Sequence, residues 1–541
     1  MDLKERINQI FPPVSEVPVE IDLPESLEQR QYLVNGELRG WDGPMQEVYS
    51  PIYLKGAGEI SRKFLGRYPL LGEAEALQVL EAALQAYDHG NGRWPSMSVR
   101  ERISHLEQFA FRMGDQKRDV VRLLMWELGK SYQDSNKEFD RTIDYIRATI
   151  EALKELDRVS SRFVIEQGII GQIRRAPLGV ALCMGPFNYP LNETFTSIIP
   201  ALIMGNSVIF KPPKLGVLLY SPLLEALRDS FPPGVINTVY GHGPQVAGPL
   251  MASGQVDVLA FVGTSRVANL LKKQHPKPHR LRASLGLDAK NPAIILPDAP
   301  LAETIAECLL GTLSFNGQRC TALKLLFVHK EIVEEFLKKF SQAVTRLKYG
   351  MPWEPEVTIT SLAEPQRPDY LKELLEDAVA RGARVVNEGG GETNRSFFYP
   401  AILYPVDDGM RVFHEEQFGP LIPVVPFDNL QTVITGIVNS TYGQQVSIFS
   451  ADDNLVAPLI DRLVTQVGRV NLNSQSQRGP DILPFTGRKD SAEGTLSVHD
   501  ALRVFSLRTL VATRDTEINK ALVTRIVRDQ KSNFLSTDFI F

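Results

Sequence analysis

The chain has 541 residues, 43% of them hydrophobic and 23% charged, with a formal net charge of -5. That length implies two or more domains whose cores are large enough to need no disulfide or metal staple. The mild acidity argues against nucleic acid and anionic membranes as partners, so any anion must be met by a local basic cluster.

The three cysteines are Cys183, Cys308 and Cys320. An odd count with no CxxC pair fits a reducing compartment, and no metal site is expected. The opening MDLKERINQIFPP lacks the apolar core of a signal peptide. No run approaches the roughly 18 apolar residues of a membrane span. A soluble, cytoplasmic protein is expected.

In chain order, residues 1 to about 70 are rich in Pro, Glu and Gly and weakly periodic, and are expected to wrap over a core built elsewhere. From Glu73 to Leu156 apolar residues recur at three and four spacing, which predicts helices. Ser98 is placed to cap one of them, with Glu101 completing a capping box. Arg162 to Arg175 alternates like a strand. From Leu178, short β-rich runs (LGVALCM, SVIFKP, GVINTVYG, VDVLAFVG) alternate with helical segments, and a second such series follows from PAIIL. This rhythm predicts an α/β fold with a parallel sheet covered on both faces.

The segment LSFNGQRCTA places Cys320 after a helix and an Asn316-Gly317 bend, beside Arg319. A thiol so placed is expected to be exposed, with a lowered pKa. The commoner fate of a lone cysteine is burial as a small hydrophobe, and Cys183 and Cys308 are assigned to it. Asn188 follows a β-run ending in Gly185-Pro186. Its amide could donate to an oxyanion, or it could be only a turn residue. Lys211 ends a strand at the sheet edge where open α/β folds bind nucleotides. Gly243 lies in a Gly-rich turn, and Phe261, Gly263 and Thr264 belong to a further strand-to-helix turn, FVGTS, where glycine permits close backbone approach.

Together PFNYP, KPP, FVGTS, FNGQRC and EEQFGP, in this order over roughly Glu73 to Leu510, resemble the aldehyde dehydrogenase superfamily. The resemblance implies a Rossmann-like cofactor domain (1–155 and 176–283), an α/β catalytic domain (284–482) and a small β oligomerisation flap (156–175 and 483–513), with a homodimer or homotetramer as the assembly. Residues 514–541 have no clear counterpart and are expected to form an interaction or interface tail. The resemblance also implies Cys320 as nucleophile, and Asn188 with the Cys320 N–H as oxyanion hole. Lys211 and Glu416 would hold the cofactor ribose, and Phe418 would flank the nicotinamide ribose. The thiolate would attack an aldehyde, hydride would pass to the cofactor, and water would release the acid. Where family members selective for NAD often carry a Glu, this chain has Lys214. An ammonium there attracts a 2′-phosphate, so NADP is expected, with NAD the alternative.

The branch it resembles most is the non-phosphorylating glyceraldehyde-3-phosphate dehydrogenases. Residues matching Arg141, Tyr189, Arg319 and Arg478 grip the substrate phosphate there, which implies a phosphorylated aldehyde. The pattern breaks at one place. The family's water-activating Glu, in ELGGK, falls in RASLGLDAKNP. Ser284 takes its position, with extra residues before Lys290, whereas an ungapped count puts Gly286 there. Neither is a carboxylate. Either Asp288 supplies the base from a shifted loop, or deacylation is slowed, or another acceptor such as coenzyme A resolves the thioester. The rival functions are a general aldehyde dehydrogenase, an acylating one, or a non-catalytic nucleotide-binding protein.

Overall fold

The computed structural model describes residues 2–23, 25–56 and 58–539. The N-terminal region is more regular than its sequence promises. Strands Gln31–Val34 and Glu37–Gly40 form a hairpin closed by Asn35 and Gly36, both at positive φ. Met45–Lys55 and Ile60–Pro69 pair antiparallel over a longer span. Ser98 accepts the Glu101 N–H and Glu101 accepts the Ser98 N–H, the expected capping box. A long helix, α1 (Tyr132–Val159), follows with Ser131 as its N-cap.

The first parallel sheet contains β1 (Val180–Met184), β2 (Ser207–Lys211), β3 (Ile236–Thr238), β4 (Val258–Val262) and β5 (Arg282–Gly286). The order in space is β3-β2-β1-β4-β5, with the short strand Ala492–Glu493 added antiparallel beside β5. Every central side chain is buried on both faces, as expected of runs such as VALCM and VLAFV. Between β1 and β4 the order reverses, opening a crevice at the carboxyl ends of these strands. Helices in the connections of this half include α2 (Asn192–Ile203), buried along its whole length, α3 (Gly243–Ala252) and α4 (Ser265–Gln274).

The second sheet holds β6 (Asn291–Ile295), β7 (Leu323–His329), β8 (Ala401–Tyr404), β9 (Leu421–Phe427), β10 (Gln445–Phe449) and β11 (Arg469–Leu472). Their order is β8-β9-β7-β6-β10-β11, parallel throughout, with Arg384–Val385 antiparallel at the β8 edge. Helix α5 (Leu301–Leu313) leads from β6 towards Cys320. A boundary at 283/284 would cut β5, which belongs wholly to the first sheet.

Residues 162–175 form a hairpin, Phe163–Glu166 with Ile169–Pro177, and Ser506–Arg514 adds a third strand. The chain beyond 514 is structured within the described residues. Helix Glu517–Arg528 is followed by a segment that returns to the body. There the Asp538 N–H bonds Asp157 at 3.0 Å and the Arg100 N–H bonds Asp538 at 2.9 Å. Ile540 and Phe541 lie outside the described residues.

Candidate active site

After α5 the backbone turns through Phe315, Asn316 and Gly317, all at positive φ. A Cβ on Gly317 would lie 2.7 Å from the Thr312 carbonyl oxygen and 2.8 Å from that of Gly419, so only glycine fits. Asn316 locks the turn by exchanging hydrogen bonds with Thr360. This delivers Cys320 to the N-terminal side of β7. Its carbonyl accepts from Lys324 Nζ and Asn291 Nδ2, each at 2.8 Å. Cys183 and Cys308 are buried, whereas Cys320 is half-buried.

Burial pushes the Cys320 thiol above its ordinary pKa, which corrects the expected lowering. The Lys324 and Arg319 charges and a hydrogen bond with Gln444 pull it down, and Glu416 pushes it further up. Arg319 alone does not decide the outcome, because burial removes water that would solvate the thiolate.

Asn188 reaches the same place from β1. One of its amide N–H groups bonds the Gln318 carbonyl at 2.9 Å, which leaves the second. Among the described residues the Cys320 N–H makes no hydrogen bond either. The Asn188 loop rests on a buried ion pair, Lys130 with Glu138. Lys130 Nζ donates to the Asn188 carbonyl at 2.8 Å and lies 3.8 Å from the centre of the Tyr189 ring. Glu138 accepts the Leu191 and Asn192 N–H groups at the start of α2. Neither residue was singled out from sequence, since their partners lie up to 58 positions away.

At the crevice, Lys211 is half-buried and donates to the Pro212 carbonyl at 3.0 Å. Burial pushes its pKa down to about 8. Lys214 is exposed three residues further on. The loop that follows Lys214 is held by Glu127, whose buried carboxylate accepts the Val217 and Leu218 N–H groups at 2.7 and 3.0 Å. Gly243 opens α3, and no atom lies within 4 Å of the place its Cβ would take. Thr264 caps α4 through the Val267 N–H. The Phe261 ring lies over Gly263, 2.3 Å from where a Cβ would be, so a larger residue there would displace the ring. Phe418, at positive φ, meets Phe187 edge-on at 5.8 Å. Glu416 is paired with Lys324 at 2.5 Å and accepts the Ala289 N–H at 3.2 Å.

Of the four residues expected to grip phosphate, Arg141 and Arg478 are joined through Asp481. Arg141, on α1, meets Asp481 through two hydrogen bonds of 2.8 and 2.7 Å. Arg478 contacts Glu193 and lies 3.4 Å from Asp481. Arg319 bonds only neutral oxygens, those of Leu310, Gly311 and Gln475. Arg319 and Arg141 both lie close enough to Tyr189 to lower its pKa, which burial pushes up to about 12. The carboxylates were not anticipated, because Arg141 and Asp481 are 340 positions apart. Two of the three guanidinium charges are therefore met within the protein, and Arg319 carries the remainder. Arg319 Nε and two nitrogens of Arg478 have no hydrogen-bond partner although buried.

Ser284 lies in β5, 1% exposed, and its hydroxyl has no partner. It faces Gly494, whose Cβ would lie 3.7 Å from the Ser284 Oγ. Asp288 does not bond Cys320. Its carboxylate accepts the Ser265 N–H at 2.7 Å, at the start of α4. Among the described residues no cluster of three or more His, Cys, Asp or Glu side chains could hold a metal ion, and no helix is long and apolar enough to cross a membrane.

The chain matches the family model described as "Aldehyde dehydrogenase family" over residues 58–511. It is 32% identical over 479 residues, 87% of this chain and 95% of the relative, to the NADP-dependent glyceraldehyde-3-phosphate dehydrogenase of Streptococcus equinus. The protein of that name from Arabidopsis thaliana is 30% identical over 436 residues, 79% of this chain and 86% of the relative. Among solved structures, NADP-dependent glyceraldehyde-3-phosphate dehydrogenase from Bacillus halodurans C-125 complexed with NADP superposes with a TM-score of 0.83 at 29% identity, covering 91% of this chain and 100% of that one. The two parallel sheets, the thiol between them and these matches lead to one assignment: the chain belongs to the aldehyde dehydrogenase family, and with it to the NAD(P)-dependent oxidoreductases.

Proposed function

We propose that the protein oxidises glyceraldehyde 3-phosphate to 3-phosphoglycerate with NADP, through a thioester on Cys320. What supports the phosphate assignment is that Arg319 is near enough to both Cys320 and Tyr189 for their charges to interact, and that Arg141 is likewise near Tyr189 and Arg478. The uncommitted N–H groups of Arg319 and Arg478 suit phosphate oxygens. The names of the relatives from Streptococcus equinus and Arabidopsis thaliana agree with this choice.

The residues at the crevice fit a dinucleotide. Lys211 retains donors beyond its bond to Pro212, Lys214 presents a free ammonium for a 2′-phosphate, and Gly243 leaves the start of α3 open. Glu416 and Phe418 lie between this edge and Cys320, where they would meet the nicotinamide ribose. Bound there, NADP would supply the acceptor for a hydride.

Cys320, as thiolate, forms a bond to the aldehyde carbon. Asn188 Nδ2 and the Cys320 N–H donate to the resulting oxyanion, and Lys324 offsets the negative charge nearby. Loss of hydride leaves the thioester. Water must then displace sulfur, and no carboxylate stands at Ser284 to take its proton. Deacylation is therefore the slow step. The three free cysteines suit a reducing, cytoplasmic setting. The exposed Val164, Ile165, Leu507 and Leu510 on the three-stranded flap support homo-oligomerisation there.

The test compares kcat/KM for glyceraldehyde 3-phosphate and for glyceraldehyde, with NADP and NAD, and identifies the product. Preference for the phosphorylated substrate and NADP, yielding the free acid, supports the assignment. Equal use of both aldehydes removes the phosphate assignment.

A further inference from the structure

The crevice carries one feature that neither a dinucleotide fold nor catalysis requires. Five residues separate Ser284 from Lys290, and the segment Leu287–Asp288–Ala289 is pinned at three places. The Leu287 N–H bonds the Ser491 carbonyl at 2.9 Å, and the Leu287 side chain is buried. Asp288 Oδ2 accepts the Ser265 N–H at 2.7 Å. The Ala289 N–H bonds Glu416 Oε1 at 3.2 Å.

The last two contacts use groups that a dinucleotide in this crevice would need. The start of α4 stands at the carboxyl end of β4, beside the reversal in strand order. First-turn N–H groups in such a place are unspent donors that meet phosphate oxygens. Here Ser265 already faces an anion. Glu416 lies on the way from that helix start to the nucleophile, since its partner Lys324 also bonds the Cys320 carbonyl. A dinucleotide running from α4 to Cys320 must cross both contacts.

We propose that Asp288 is an internal anion that competes with the cofactor's phosphates for the start of α4, so that the 287–289 segment sets cofactor affinity and must release Ser265 and Glu416 for binding. Apparent affinity is then reduced by the fraction of molecules in which the segment is closed. The proposal rests on the NADP assignment above.

The test is the Kd for NADP without aldehyde, measured calorimetrically on the full chain and on Asp288→Ala and Asp288→Asn, with thermal melting to confirm folding. Asp288→Ala should bind NADP about tenfold more tightly or better, because a charge-assisted competitor is lost. Asp288→Asn should fall between. An unchanged or weaker Kd in Asp288→Ala overturns the proposal and leaves the cofactor assignment intact. Absence of NADP binding in every protein overturns both. Hydrogen exchange on the unaltered protein gives a second measurement that needs no variant. Saturating NADP should speed exchange in residues 287–290, and unchanged or slower exchange there refutes the release.

Discussion

Replacing Arg319 with Ala removes the one guanidinium of these three that makes no salt bridge among the described residues. Arg141 is held by Asp481 and Arg478 by Glu193, whereas Arg319 donates only to carbonyl oxygens and an amide oxygen. A hydrogen bond to a charged partner contributes about 1.5–3 kcal/mol. Its loss should lower kcat/KM for glyceraldehyde 3-phosphate by about 10- to 150-fold, since about 1.4 kcal/mol is a factor of ten. Arg319 also pulls the Cys320 thiol down, so the variant will react somewhat more slowly with any aldehyde. The ratio of kcat/KM for glyceraldehyde 3-phosphate to that for glyceraldehyde cancels this effect. The ratio should collapse in Arg319→Ala and recover partly in Arg319→Lys, which keeps charge but not the fork. Steady-state assays at fixed pH with both substrates measure it. A ratio unchanged in Arg319→Ala would refute the reasoning.

The remaining predictions concern charge, oxyanion and base. Asp481→Asn removes a carboxylate from the arginine chain and frees Arg141. It should lower KM for glyceraldehyde 3-phosphate severalfold, because a carboxylate that opposes the phosphate is removed while Arg141 and Arg478 stay charged. A higher KM would mean that Asp481 orients Arg141 rather than opposing phosphate. Asn188→Ala should slow the acylation burst by about 10²–10³-fold with little change in substrate Kd, as for other oxyanion donors; rapid-mixing absorbance of the reduced cofactor reads this directly. Burial raises the Cys320 pKa, so its alkylation by iodoacetamide should rise with pH to a midpoint above the roughly 8.5 of a free thiol. Lys324→Met should move that midpoint higher still, because the Lys324 charge favours the thiolate. A midpoint below about 8 in the unaltered protein would show that the positive charges outweigh burial.

The parallel sheets were legible because their strands, SVIFK and VLAFV among them, are buried on both faces and end in turns marked by Gly or Pro. The Ser98–Glu101 box was legible for a similar reason, since both partners lie within one helical turn. Met45–Lys55 and Ile60–Pro69 were not, because Pro51, Gly66 and several half-buried positions blur the alternation, and each strand is held by the other. The helix Glu517–Arg528 has no buried residue and so presented no core-facing stripe to recognise. At the site, motif matching found the residue types, but not how their charges are met. Asp481 reaches Arg141, Glu193 reaches Arg478 and Glu138 reaches the start of α2 only through tertiary packing, and the direction of the Cys320 shift depends on burial that no local motif encodes. Asp288 drew attention as a carboxylate near a missing one, yet folding turns it to α4.

The central claim, that Cys320 carries the acyl group and releases it slowly for want of a carboxylate at Ser284, is tested most directly by rapid mixing of the enzyme with NADP and glyceraldehyde 3-phosphate, followed by mass measurement of the quenched protein. The account predicts a burst of NADPH equal to the sites present, a phosphoglyceryl adduct on the peptide containing Cys320, and a slow linear phase that Ser284→Glu accelerates. Steady NADPH formation with no adduct on that peptide, or a Cys320→Ala variant that keeps the burst, would contradict it.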